Sequence, residues 1–112
     1  MAKKIKFTYA GKNYVLEYNR ETVKQMESRG FRLGELENQP VNTISMLFSG
    51  AFLMHHKNVA RDKDLTDEIY ASFKNRDELL SALIEMYQEP VAALFDEPEE
   101  DDAGNTTWGM EG

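Results

Sequence analysis

Lys3-Lys4-Ile5-Lys6-Phe7-Thr8-Tyr9-Ala10-Gly11-Lys12-Asn13-Tyr14-Val15-Leu16-Glu17-Tyr18 sets the fold class of this chain. Ile5, Phe7 and Tyr9 alternate with Lys4, Lys6 and Thr8. A period of two puts the apolar side chains on one face of a half-buried strand. Ala10-Gly11-Lys12-Asn13 reads as a turn, with Gly11 free to take positive φ. Tyr14 to Tyr18 reads as a second strand, so residues 3–18 form a β-hairpin. A lone hairpin is marginal in water, so its apolar face must pack on the rest of the chain.

From Asn19 onward the apolar residues recur with helical spacing. Asn19 is placed to cap a first helix over about 20–29, with Tyr18 and Val23 spaced as a hydrophobic staple and Gly30 suited to the left-handed stop. Val23 and Met26 form its buried side; Phe31, Leu33 and Leu36 lie in a connection closed by Gln39-Pro40. Ile44, Leu47, Phe48, Ala51 and Phe52 define a second helix over about 42–57, with Leu53 and Met54 widening the stripe. Gly50 inside it costs up to about 1 kcal/mol relative to Ala, and such a glycine often marks a close helix approach. A charged link from Asn58 to Asp64 precedes a helix over about 65–74, carrying Leu65, Ile69 and Phe73. Asn75 and Glu78 match a capping box for a helix over about 76–88, and Pro90 suits the first turn of a short one over 90–95. The expected class is α+β: an N-terminal β-hairpin and a bundle of four to five α-helices within residues 1–95.

Charge divides the chain in a second way. Asp96, Glu97, Glu99, Glu100, Asp101, Asp102 and Glu111 face no Lys or Arg from residue 96 onward, and these seven equal the whole net charge of −7. Residues 1–95 then hold 13 acids against 13 bases, since the chain has 20 and 13 in all. A neutral body with an acidic tail argues against nucleic-acid binding, which neutralises phosphates with Lys and Arg. Residues 96–107 carry too little apolar surface to offset ordering entropy, so the tail over 96–112 is expected to be mobile, with Trp108 the exception, either exposed or an anchor that docks. The 112 residues include no cysteine, which removes disulfides, thiolate metal sites and a cysteine nucleophile. No apolar run approaches the roughly 18 residues of a membrane span. Met1-Ala2-Lys3-Lys4-Ile5 leads into alternation and does not read as a secretory leader. The expected location is the cytoplasm.

The candidate chemistry is thin. His55 and His56 are adjacent, so on a helix they point about 100° apart and do not chelate one ion; they read as polar residues near a helix end, where imidazolium suits the dipole. Asp62, Asp64 and Asp67 resemble a calcium loop, but Asp67 and Phe73 occupy the positions that need Gly and Glu. The serines lack a nucleophile elbow and the glycines form no phosphate loop. No cofactor, metal or catalytic residue is expected. Aromatics interleaved with lysines in the hairpin could stack on single strands, but they also supply its packing face. The feature left over is apolar excess around Ile44–Met54. It is either a core helix or, in part, a stripe that receives a partner helix, and the two readings are compatible. Met46, Phe48, Phe52 and Met54 are the candidate partner-binding residues, methionines adapting to varied surfaces.

An ordered set of segments also resembles small proteins of Firmicute siphophages: Ala2-Lys3-Lys4-Ile5-Lys6-Phe7-Thr8-Tyr9 with Gly11-Lys12 and Tyr14; Thr22-Val23-Lys24-Gln25-Met26-Glu27 with Gly30-Phe31; Leu47-Phe48-Ser49-Gly50-Ala51-Phe52 with His55-His56; Glu85-Met86-Tyr87; and Gly104-Asn105 with Trp108. Those proteins resemble tail assembly chaperones. The resemblance implies a non-enzymatic protein that coats the tape-measure protein until tail-tube subunits polymerise around it, and that is absent from the mature virion. It implies the tape-measure protein as partner, with the tail-tube protein and a second copy of the chain as further candidates. The acidic residues Asp96, Glu97, Glu99, Glu100, Asp101 and Asp102 would then add solubility and repulsion between assemblies. Two other readings stay open: a minor structural tail or head-completion protein, and a small acidic regulator of a host protein.

Overall fold

The structure, a computed structural model, describes residues 3–92. Strands β1 (Lys4–Tyr9) and β2 (Lys12–Glu17) pair antiparallel with Ile5 opposite Leu16 and Phe7 opposite Tyr14. Five helices come after them: α1 (Arg20–Ser28), α2 (Pro40–Gly50), α3 (Lys57–Arg61), α4 (Lys63–Ser72) and α5 (Arg76–Ala92), with a 3-10 turn at Leu33–Glu35. The class is α+β, as the alternation and the helical spacing predict. The acidic segment from Asp96 and Trp108 lie outside the described residues.

The hairpin turn is tighter than the four-residue reading. Ala10 and Gly11 both have positive φ, 50° and 80°, so they are the two central residues of a turn whose twist matches the strands. The face bearing Ile5, Phe7, Tyr14 and Leu16 then packs inward; Leu16 is fully buried and Tyr14 nearly so.

α1 begins and ends where the residues dictate. The Asn19 side chain accepts from the Thr22 backbone N–H at 2.8 Å, and Thr22 Oγ1 accepts in return from the Asn19 N–H at 2.8 Å. Two free donors of the first turn are thus satisfied reciprocally. At the other end Gly30 takes φ 96°. Its N–H donates to Glu27 O, and the Phe31 N–H reaches back to Met26 O at 3.0 Å. Phe31 and Met26, the two positions where an apolar contact accompanies such a stop, are both buried in the core.

α2 departs from the expected span of 42–57 at both ends. Pro40, expected to close the preceding loop, is instead its first helical residue, where a missing N–H costs nothing. Its last helical residue is Gly50. Beyond it Ala51, Phe52 and Leu53 donate to Phe48, Ser49 and Gly50, all at 3.1 Å, bonds one residue shorter than α-helical ones. The tightened chain turns and runs beside β2. There Ala51 O accepts from the Glu17 N–H at 3.1 Å, and His56 Nε2 accepts from the Val15 N–H at 3.1 Å. Val15 and Glu17 are two apart, so both point from the outer edge of β2, and the turn covers an edge that would otherwise be open. Leu47 O is taken by the Tyr18 hydroxyl at 2.5 Å. Burial pushes the Tyr18 hydroxyl well above its ordinary pKa, so it stays a donor. Tyr18→Phe leaves that buried carbonyl without its donor and is expected to cost roughly 1–3 kcal/mol in a urea titration. An unchanged midpoint would show that Leu47 O finds another partner.

Two further spans differ. A short helix, α3, replaces part of the charged link because Ala60 is buried and Asp62 serves as the cap of α4, accepting from the Leu65 N–H at 3.1 Å. α5 runs through Pro90 rather than restarting there. One intrahelical bond is lost, but Val91 packs on the core and holds the last turn. Residues 93–95 of the expected final helix lie outside the described residues. Asn75 stands at the predicted start of α5, its carbonyl accepting from the Leu79 N–H at 3.0 Å.

Two aromatic groups fill the interior. Phe48 and Phe52 meet edge to face at 5.1 Å, and Phe7, Tyr14, Tyr70 and Phe73 surround them. Tyr87 bridges Tyr18 and Phe31 at 5.5 and 5.1 Å. Such pairs add to burial about 0.5–1.5 kcal/mol each.

Candidate functional site

The four candidate partner-binding residues separate into two pairs. Phe48 is 1% exposed and Phe52 is 0% exposed. Neither stands at the exposed surface: their rings pack toward the hairpin and α4, Phe48 lying only in the wall of the cleft described next, and as exposed partner-binding residues these two are corrected. Met46 is half-buried and Met54 is 38% exposed. These two remain at the surface.

Beside Met46 lies an open cleft of about 780 Å³ between α2 and α4. Its α2 side carries Val41, Ile44 and Met46, and its α4 side carries Tyr70. Val41 is 81% exposed, and with Met54 it is one of two large apolar side chains so exposed among the described residues. Positions 41, 44 and 45 lie on one helical face, so Val41 and Ile44 form a continuous apolar ridge with Ser45 beside it. The Ser45 hydroxyl donates to Asp67 Oδ1 at 2.9 Å and ties α2 to α4. Arg29 from the end of α1 and Lys63 from the start of α4 complete the rim. Neither forms an ion pair among the described residues, where the pairs are Lys3 with Glu85 and His55 with Glu17. The cleft carries one carboxylate, Asp67, against two cations. A smaller recess of about 130 Å³ adjoins it, sharing Arg29, Met46 and Lys63 and reaching Gly50 and Leu53.

Val41, Tyr70, Arg29 and Lys63 escaped sequence reasoning. For Val41 a signal existed: Pro40 at the first helical position puts Val41 in the first turn of α2, three residues before Ile44. For the others none did, because α1, α2 and α4 meet only in the fold.

The histidines lie elsewhere, at the outer edge of β2. His55 Nε2 sits 2.9 Å from Glu17 Oε1. His56 is an acceptor rather than a cation, since its Nε2 takes the Val15 N–H. Burial, and secondarily His55, hold its pKa below the ordinary 6.5. Above pH 6.5 the folded and unfolded forms are both neutral at this residue. As the pH falls through 6.5 the unfolded chain takes up the proton first, so stability drops until the lower folded pKa is passed. Urea midpoints at pH 7.5 and 5.5 should therefore converge in His56→Gln, which can accept without titrating, while His55→Gln keeps the His56 contribution. Equal pH dependence in wild type and His56→Gln would refute the assignment.

Among the described residues no three His, Asp or Glu side chains are grouped to hold a metal ion, and no helix is long and apolar enough to cross a membrane. Against known proteins, residues 1–111 match the family model described as a domain of unknown function, DUF5055. No curated protein and no solved structure matches.

Proposed function

Because the chain belongs to the DUF5055 family, whose description assigns no activity, we propose from its surfaces that it is a non-enzymatic tail assembly chaperone. It binds apolar helix faces of a tape-measure protein in the cytoplasm and leaves before the virion is complete. The reading is carried by the cleft along α2, where exposed Val41 and half-buried Ile44 form a ridge beside the half-buried Met46. An amphipathic helix recognises such a groove through anchors three and four residues apart. A methionine in the wall adapts to different anchors. That suits many copies binding at different points along one long helix, each contact weak and reversible. The resemblance to siphophage tail assembly chaperones supports the same partner.

Co-expression with the product of the gene immediately downstream, then size-exclusion chromatography, tests it. The chain should co-elute with that product. Val41→Glu combined with Ile44→Glu should abolish co-elution with circular dichroism unchanged. Mass spectrometry of purified virions should find no copy. A stoichiometric copy in virions would favour a structural tail or head-completion role, and co-elution indifferent to the two glutamates would exclude the cleft.

A further inference from the structure

We propose that the cleft between α2 and α4 is also the docking site of the chain's own acidic segment, residues 96–112, with Trp108 seated on the ridge of Val41 and Ile44. Three observations converge. The first is charge: the segment carries seven acids and no base, while the cleft rim presents Arg29 and Lys63 without an ion-pair partner among the described residues. The second is apolar surface. Val41 is 81% exposed beside an open cleft of about 780 Å³, and Trp108 is the single tryptophan of the chain. A tryptophan buries on the order of 150–250 Å², more than any residue between 96 and 107 can. The third is reach. Trp108 comes sixteen positions after Ala92, the end of α5. A random-coil chain of that length spans about 22 Å on average, and a fully extended one at most about 55 Å. A body of some 90 residues has a radius of gyration of about 12 Å, so a diameter on the order of 30 Å. At full extension the link exceeds that diameter.

The acids and Trp108 then act together. The carboxylates between 96 and 102 meet the cationic rim, and Trp108 covers the ridge that solvent otherwise wets. The consequence for partners rests on the cleft being the partner site: the segment competes with the incoming helix. If it occupies the cleft in nine molecules of ten, apparent partner affinity falls about tenfold.

Trp108 supplies its own reporter, and the test uses the full chain without any partner. Emission of the native chain should be blue-shifted and poorly quenched by acrylamide relative to the chain in urea. Val41→Glu with Ile44→Glu should move the emission to the unfolded position with circular dichroism unchanged. Arg29→Glu with Lys63→Glu should move it in the same direction, as should raising NaCl from 0.1 to 1 M, where screening shortens from about 10 to about 3 Å. Native emission already at the unfolded position would overturn the proposal. So would a blue shift indifferent to the cleft variants, which would place Trp108 elsewhere, or one that vanishes on dilution, which would place it on a second copy. Failure of co-elution with a tape-measure protein leaves these emission results untouched, so the two readings fail separately. If both hold, Trp108→Ala should tighten partner binding by up to about tenfold.

Discussion

Phe52→Asp should yield a chain with no cooperative unfolding transition. Phe52 is fully enclosed, its ring meeting Phe7, Tyr14, Phe48 and His56 at 5.1 to 6.2 Å. Truncating such a ring costs about 3–5 kcal/mol through lost transfer energy and the cavity left behind. A carboxylate placed there adds several kcal/mol, because aromatic rings on most sides of the site leave its charge poorly solvated. A body of this size is stable by roughly 5–14 kcal/mol in all, so the loss takes most or all of it. Urea titration monitored by circular dichroism would read this directly. Met54→Asp, two residues further along the chain, is the control. Met54 is 38% exposed, and its replacement should stay within about 0.5 kcal/mol of wild type. A cooperative Phe52→Asp transition near the wild-type midpoint would return Phe52 to the surface and refute its enclosure by the hairpin and α2.

The second large effect lies where α1 crosses α2. A Cβ added at Gly50 would meet Met26 Sδ at 2.5 Å, Cε at 2.6 Å and Cγ at 2.9 Å. Met26 is 3% exposed, so its side chain can yield only by shifting into the recess of about 130 Å³ that it lines together with Gly50. Overpacking of this kind costs about 1–3 kcal/mol, against a helix-propensity gain of at most about 1 kcal/mol for Ala over Gly. Gly50→Ala should therefore lower stability modestly, and Gly50→Val, with two more methyl groups, by about 3 kcal/mol. That is a fall in Tm on the order of 12–24 °C for a domain of this length. The decisive measurement is a double-mutant cycle. In Met26→Ala the clashing atoms are gone, so adding Gly50→Ala should raise stability, reversing its sign. Additive effects would mean that the two residues do not touch.

These two expectations also separate what could be read along the chain from what could not. The hairpin, its inward face, the Asn19 cap and the Gly30 stop were legible because each depends on neighbours a few residues away: alternation for the strands, a side-chain acceptor for the first turn, a positive φ for the last. The close approach signalled by Gly50 was legible as well, though not its partner.

The amino-acid sequence by itself determined the order of elements, the α+β class, the division into a neutral body and an acidic segment, and the fact that α2 is apolar on more than one side. Only the tertiary structure decided which of those sides is covered. Helical spacing tells where apolar residues point relative to one another, not which neighbour arrives to bury them. The answer depended on residues distant in the chain: the free N–H groups of Val15 and Glu17, which draw residues 51–56 along β2, and the rings of Phe7 and Tyr14, which close over Phe48 and Phe52. Val41, Ile44 and Met46 were left on the other side because no described element of the body comes back to cover them.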